Sequence, residues 1–101
     1  MNMKTKRAWV YILRCSDGSF YTGHTINLEM RLAQHRVGEG SDWTARRLPI
    51  ELVFQQELPS KNDAFLTEMQ IKNWSRAKKI ALIEGKFDVL KLLAKKPRFR
   101  G

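Results

Sequence analysis

Residues 8–15, Ala-Trp-Val-Tyr-Ile-Leu-Arg-Cys, are rich in β-branched and aromatic side chains and predict a strand. Ser16-Asp17-Gly18 interrupts the run, and Ser-Phe-Tyr-Thr-Gly-His at 19–24 predicts a second strand. A Ser-Asp-Gly loop suits a three-residue hairpin, a type I turn closed by Gly18 in the left-handed region. That loop pairs Cys15 with Ser19 and Leu13 with Tyr21. Tyr11 lies two residues from Leu13, so it shares a face with Tyr21. The two phenols are then diagonal neighbours, about 7–8 Å apart at their backbones. A two-residue loop would put them on opposite faces.

The pattern then turns helical. Asn27 is a candidate N-cap, and residues 28–37 predict a helix closed by Gly38. Leu28 and Leu32 form its apolar stripe, and Arg31 and His35, four apart, share a flanking face. Residues 38–47 are polar and glycine-containing and predict a loop. Residues 49–54 predict a third strand with weak alternation. Ser60-Lys61-Asn62-Asp63 resembles a capping box with Asp in place of Glu. It opens a predicted helix of about 15 residues, with Ala64, Phe65, Met69 and Ile71 inward and Glu68 between inward positions. Residues 75–83 predict another helix that stops near Gly85, and residues 87–94 a last one before a basic tail. The expected fold is α/β: a small sandwich with a three-stranded antiparallel sheet flanked by helices. The expected organisation is a single domain over 1–101, with a core at about 8–84 and a C-terminal helix and basic tail at 86–101.

Charge narrows the function. Nineteen basic and 10 acidic side chains give a formal net charge of +9 on 101 residues. Such an excess favours a polyanion, nucleic acid ahead of an anionic membrane. Cys15 is the single cysteine, which rules out an internal disulfide and suits a reducing compartment. One Cys and two His do not make a zinc site of the usual ligand sets. No signal peptide is visible, and no segment approaches the roughly 20 apolar residues of a membrane span. A cytoplasmic protein without a membrane partner is expected.

Hydrolysing a phosphodiester needs an activated water, charge relief on the phosphate and help for the leaving oxygen. Glu68 can hold one Mg²⁺ (or Mn²⁺), which binds readily through one carboxylate plus phosphate oxygens. Arg31 can fork onto a phosphate, and His35 can relay a proton. Tyr11 and Tyr21 are ambiguous, because strand tyrosines usually pack. A phenol titrates near pH 10, and bringing it to 7 requires roughly 4 kcal/mol of phenolate stabilisation. A tyrosine base therefore makes sense only if these residues converge. Arg46, Arg47, Lys72, Arg76, Lys78 and Lys79 are the candidate phosphate contacts. Lys72, Arg76 and Lys79 share a helical face only if the helix continues through Ser75. Trp43 and Trp74 are candidates for stacking on bases, with core packing the better reading of Trp74.

Trp9-Val10-Tyr11, Tyr21-Thr22-Gly23, Arg31, His35 and Glu68, in this order, resemble the GIY-YIG nuclease superfamily. The resemblance spans roughly residues 8–84 and is closest to small stand-alone bacterial members, similar to the nuclease domains of UvrC-type repair enzymes and of junction nucleases. Both tyrosines and the final glycine match; the first glycine and the second isoleucine are replaced by Trp9 and Thr22. The resemblance implies that Tyr11 is the favoured general base, that Tyr21 and Arg31 contact the phosphate, and that Glu68 holds the metal. It implies a structure-selective DNA endonuclease linked to repair or recombination. The substrate would be DNA, with branched or single-stranded forms as candidates, and a protein partner could supply substrate choice. The competing readings are a nucleic-acid-binding module of the same fold without turnover, and an interaction protein with incidental charge.

Overall fold

The computed structural model describes residues 7–86. Two strands open the fold, β1 (Ala8–Arg14) and β2 (Phe20–Thr25). They pair antiparallel with Leu13 opposite Tyr21 and Tyr11 opposite Gly23, the register expected of the three-residue loop. The Gly18 N–H bonds the Cys15 carbonyl at 2.9 Å and Gly18 takes φ +86°, so the turn is a type I turn with a left-handed glycine. Asp17 braces it: its carboxylate accepts from the Ser19 N–H at 3.0 Å and from the Ser19 hydroxyl at 2.6 Å.

Helix α1 (Leu28–Arg36) follows, begun by the Asn27 side chain accepting the Met30 N–H at 3.0 Å. A short helix α2 (Asp42–Ala45) interrupts the segment expected to be loop, with Ser41 capping it through the Thr44 N–H. Strand β3 (Glu51–Leu58) runs four residues past the expected end and joins the free edge of β1, giving the sheet order β2-β1-β3. A bulge at Val53 shifts the β1–β3 register between Ile12 and Leu13. Helices α3 (Lys61–Lys72) and α4 (Arg76–Ile83) complete the described fold. The expected helix at 87–94 and the basic tail lie outside the described residues.

The sheet is covered on both faces, as the α/β sandwich requires. Val10 and Ile12 pack with Ile71 of α3, joined by Phe20, Phe54, Trp74 and Leu82. Tyr11 and Leu13 point the other way and pack with Leu32 of α1, joined by Tyr21, Ile50 and Leu52. Trp74 is thus a packing residue.

Two expectations about α3 are corrected. Phe65 and Met69 are each 44% exposed, not inward. The buried stripe is Ala64, Glu68 and Ile71, at i, i+4 and i+7; its central residue is polar, so apolarity alone places the stripe one position off. The helix also does not continue through Ser75. It ends at Asn73, and Ser75 begins α4 by accepting the Lys78 N–H, so Lys72 does not share a helical face with Arg76 and Lys79.

Thr22, paired with Ile12 on the α3 face, is buried and its hydroxyl has no hydrogen-bond partner among the described residues. Val keeps the shape and removes the unpaired oxygen. Thr22→Val is therefore expected to raise stability by about 1 kcal/mol in chemical denaturation, whereas a partnered hydroxyl would make the same change destabilising.

Candidate active site

Antiparallel pairing puts Tyr11, Leu13, Tyr21 and Gly23 on the α1 face of the sheet, and Thr22 and His24 on the α3 face. β2 is an edge strand, so groups from the two faces meet around its free edge.

On the α1 face, Tyr11, Tyr21 and His35 form a three-ring cluster. Centroids are 6.4 Å apart for the tyrosines, 5.7 Å for Tyr11 and His35, and 5.2 Å for Tyr21 and His35. Tyr11 and His35 are essentially inaccessible to solvent. Gly23 lies opposite Tyr11, and a Cβ there would stand 2.5 Å from the Tyr11 hydroxyl, so the glycine makes room for the phenol.

A chain of buried hydrogen bonds links Ser41, Thr44, His35 and Tyr11. With the Thr44 hydroxyl donating to Ser41, whose Oγ lies at 2.9 Å and carbonyl at 3.3 Å, its oxygen accepts from His35 Nδ1–H at 2.9 Å. The lone pair of His35 is left on Nε2, where it accepts the Tyr11 O–H at 2.9 Å. Burial, assisted by the Arg31 charge, lowers the His35 pKa to about 4. Burial raises the Tyr11 pKa to about 12; Arg31 opposes this, while Tyr21 and the Glu68 charge add to it. At neutral pH both partners are uncharged.

Arg31, one turn before His35, lies against both phenols. Its guanidinium donates to Gln34 Oε1 at 3.0 Å and to the Gly40 carbonyl at 2.9 Å. Gly40 also packs against the His35 ring so tightly that a Cβ has no space. Residues 38–44 therefore clamp both chemical residues of α1.

On the α3 face, Glu68 is the one buried carboxylate among the described residues. Oε1 is hydrogen-bonded to His24 Nδ1, and Oε2 is paired with Lys72 Nζ at 2.6 Å. That hydrogen bond to Glu68 raises the Lys72 pKa. The charge of Glu68 acts on Tyr11 across the sheet, so the two halves are electrostatically coupled.

Four of the six basic residues chosen from sequence, Arg47, Arg76, Lys78 and Lys72, are engaged within the fold. Arg47 is a strut: its guanidinium sits 3.3 Å over the Trp43 ring, bonds Asp17 at 3.1 Å and bonds the Trp43 carbonyl at 3.0 Å. Arg76 covers the Phe20 ring, Lys78 covers Trp74, Lys72 holds Glu68, and Lys79 is half-buried. Arg46 is exposed. Sequence reasoning missed Gly40, Thr44, Gln34 and His24. The Ser41-x-x-Thr44 cap was a readable sign of α2, but nothing local pairs Thr44 with His35 or His24 with Glu68.

Among known proteins, the family model described as the GIY-YIG catalytic domain matches residues 7–81. The chain is 45% identical over 76 residues to a UPF0213 protein of Staphylococcus haemolyticus, covering 75% of this chain and 93% of the relative. It is 47% identical over 75 residues to one from Natronomonas pharaonis, covering 74% and 88%. The solution structure of the UPF0213 protein BH0048 from Bacillus halodurans matches with TM-score 0.53 and 41% identity over 79% of this chain and 85% of that one.

The hydrogen-bond chain has two measurable consequences. Thr44→Val keeps the shape but removes the acceptor for Nδ1–H. The His35 ring ¹⁵N shifts, characteristic of the Nδ1–H tautomer in the wild type, are expected to move in Thr44→Val and return in Thr44→Ser. The second consequence concerns acid. An unfolded imidazole takes its proton near 6.5 and the folded one only near 4. The unfolded state therefore binds more protons in that window, and stability falls as pH drops through it, by about 3 kcal/mol for this group. Denaturant melts of wild type and His35→Gln across that range measure it: the variant should lose most of the slope.

Proposed function

Because the chain belongs to the GIY-YIG catalytic-domain family, we propose that it is a divalent-metal-dependent endonuclease that hydrolyses phosphodiester bonds in DNA. The observation that carries this reading is the convergence on one sheet edge of the Tyr11–His35 pair, Arg31 and a buried carboxylate.

The metal fits the donor set. A hard divalent cation takes oxygen ligands and needs only one carboxylate when waters and phosphate oxygens complete its shell. No group of three or more His, Cys, Asp or Glu able to hold a metal occurs among the described residues, and Glu68 is the buried carboxylate among them. Glu68 would hold the cation, and the Lys72 ammonium on Oε2 marks a position that already favours positive charge. When bound, the metal would supply charge relief at the phosphate and at the leaving oxygen.

The other steps belong to the chain. Arg31 donates to the phosphate as a planar fork, turning from its resting carbonyl partner. Tyr21, half-exposed at the cluster's edge, positions the phosphate. Tyr11 takes a proton from water as it passes its own to His35 Nε2, so free phenolate does not accumulate. The resting pKa order opposes that transfer, since Tyr11 sits near 12 and His35 near 4. Phosphate binding acts in the right direction: it offsets the Arg31 charge that helps depress His35.

The +9 charge favours a nucleic acid as the polymer, and membership of the GIY-YIG family favours DNA. We extend the reading to a structure-selective enzyme of repair or recombination in the cytoplasm, a single domain that depends on substrate shape or a protein partner for choice. The alternative is a binding module without turnover, favoured by one observation: both Glu68 oxygens are already engaged.

Cutting of a branched DNA under single-turnover conditions separates the two. The wild type is expected to cut in Mg²⁺ and not in EDTA, and Glu68→Gln should bind DNA yet fail to cut. Tyr11→Phe should slow cutting by about 10²–10⁴-fold. Its stability should fall by only about 1 kcal/mol, the cost of one hydrogen bond. Wild-type rates in either variant would remove that residue from the mechanism.

A further inference from the structure

Phe65, Leu66 and Met69, on the outward face of α3, have no role in the core or in the chemistry above. Phe65 is 44% exposed, with Leu66 and Met69 beside it. The Phe65 ring stands edge-on to His24 with centroids 5.8 Å apart, and His24 touches Glu68. An exposed aromatic therefore lies one side chain away from the candidate metal ligand.

Two clefts open at this place. One, of about 430 Å³, is lined by His24, Lys61, Asn62 and Phe65. The other, of about 320 Å³, runs from His24 and Lys61 along α1 to Arg31 and Gln34. They adjoin at His24 and Lys61, which line both, and together they make a path that reaches from Arg31 to the Phe65 ring. The path carries cations at Arg31 and Lys61. Its amides are half spent: Gln34 Oε1 accepts from Arg31 and Asn27 Oδ1 accepts from the Met30 N–H, while each NH₂ remains a donor.

We propose that this path holds an unpaired stretch of nucleic acid, with a base stacked on Phe65 and the adjoining phosphates between Lys61 and Arg31. Alternating cations suit the backbone, and an exposed ring beside them suits a base face whatever its sequence. A paired duplex keeps its bases stacked on one another and offers no free face to the ring. The inference rests on the nuclease reading only in taking nucleic acid as the polymer, and it names the substrate as single-stranded at the cut.

The test is binding without turnover, in EDTA, by fluorescence anisotropy with labelled dT₁₀ and with a blunt duplex of two separate strands. Phe65→Ala is expected to weaken dT₁₀ binding by about 5- to 100-fold and to leave duplex binding and the melting temperature unchanged. Phe65→Tyr should bind dT₁₀ like the wild type. Lys61→Ala should weaken dT₁₀ binding and make its salt dependence shallower by about one phosphate contact. Unchanged dT₁₀ binding in Phe65→Ala, or equal loss on both probes, overturns the proposal. A dimer seen by sedimentation in the wild type and lost in Phe65→Ala overturns it too, by giving the strip to a second copy. Because nothing here depends on cutting, failure of these arms leaves the nuclease reading standing. Phe65-dependent dT₁₀ binding in a protein that never cuts would leave the stacking site standing alone.

Discussion

The register between β1 and β2 is the constraint on which the site depends. With Leu13 opposite Tyr21, the phenols of Tyr11 and Tyr21 share the α1 face, Gly23 lies opposite Tyr11, and His24 falls on the α3 face. A slip of one residue would reverse every one of these assignments. The slip is opposed at the turn by Gly18 and by Asp17, which is tied to Ser19 on one side and to Arg47 on the other. Arg47 in turn accepts the Ser16 N–H at its carbonyl, 2.9 Å away. The hairpin turn and the segment that follows α2 are thereby fastened together. Helix α2, just before that segment, places Thr44 on His35, so neighbouring polar contacts fix both the register and the imidazole.

Burial then does the electrostatic work. Tyr11 and His35 are placed where a charge on either is costly, and each responds by holding its neutral form. A neutral, hydrogen-bonded pair is a stable thing to bury. The groups that do carry charge are Arg31, Glu68 and Lys72, and of these Lys72 reaches furthest into solvent. The site is divided between a dry relay and a charged rim.

Much of this was legible in the chain. The Ser-Asp-Gly turn encodes the register, the Asn27 and Ser60 caps encode helix starts, and spacing of four joins Arg31 to His35. These are local signals, written within a few residues of where they act. What was not legible is long-range or low in contrast. Helix α2 has four residues, too short for a period to show. Phe65 and Met69 were assigned inward because the true inward stripe has Glu68 at its centre, and a polar residue in that position hides the stripe. The contacts of His24 with Glu68 and of Thr44 with His35 join separate elements and leave no mark on either one's sequence.

Glu68 is where packing and chemistry pull against each other. A buried carboxylate must be compensated, and here the compensation comes from His24 on one oxygen and Lys72 on the other. Without them the inward position would favour an apolar residue, as Ala64 and Ile71 on the same stripe show. The two partners differ in how firmly they are held. His24 is fixed by its strand and by the Phe65 ring, whereas Lys72 reaches back one helical turn on a flexible stem whose side chain is 48% exposed. Lys72 can therefore leave Glu68 only as another cation takes its place, because the oxygen it pairs with still requires one. The resting contacts keep the carboxylate oriented, with one oxygen on the strand-held His24 and the other on the solvent-reaching Lys72.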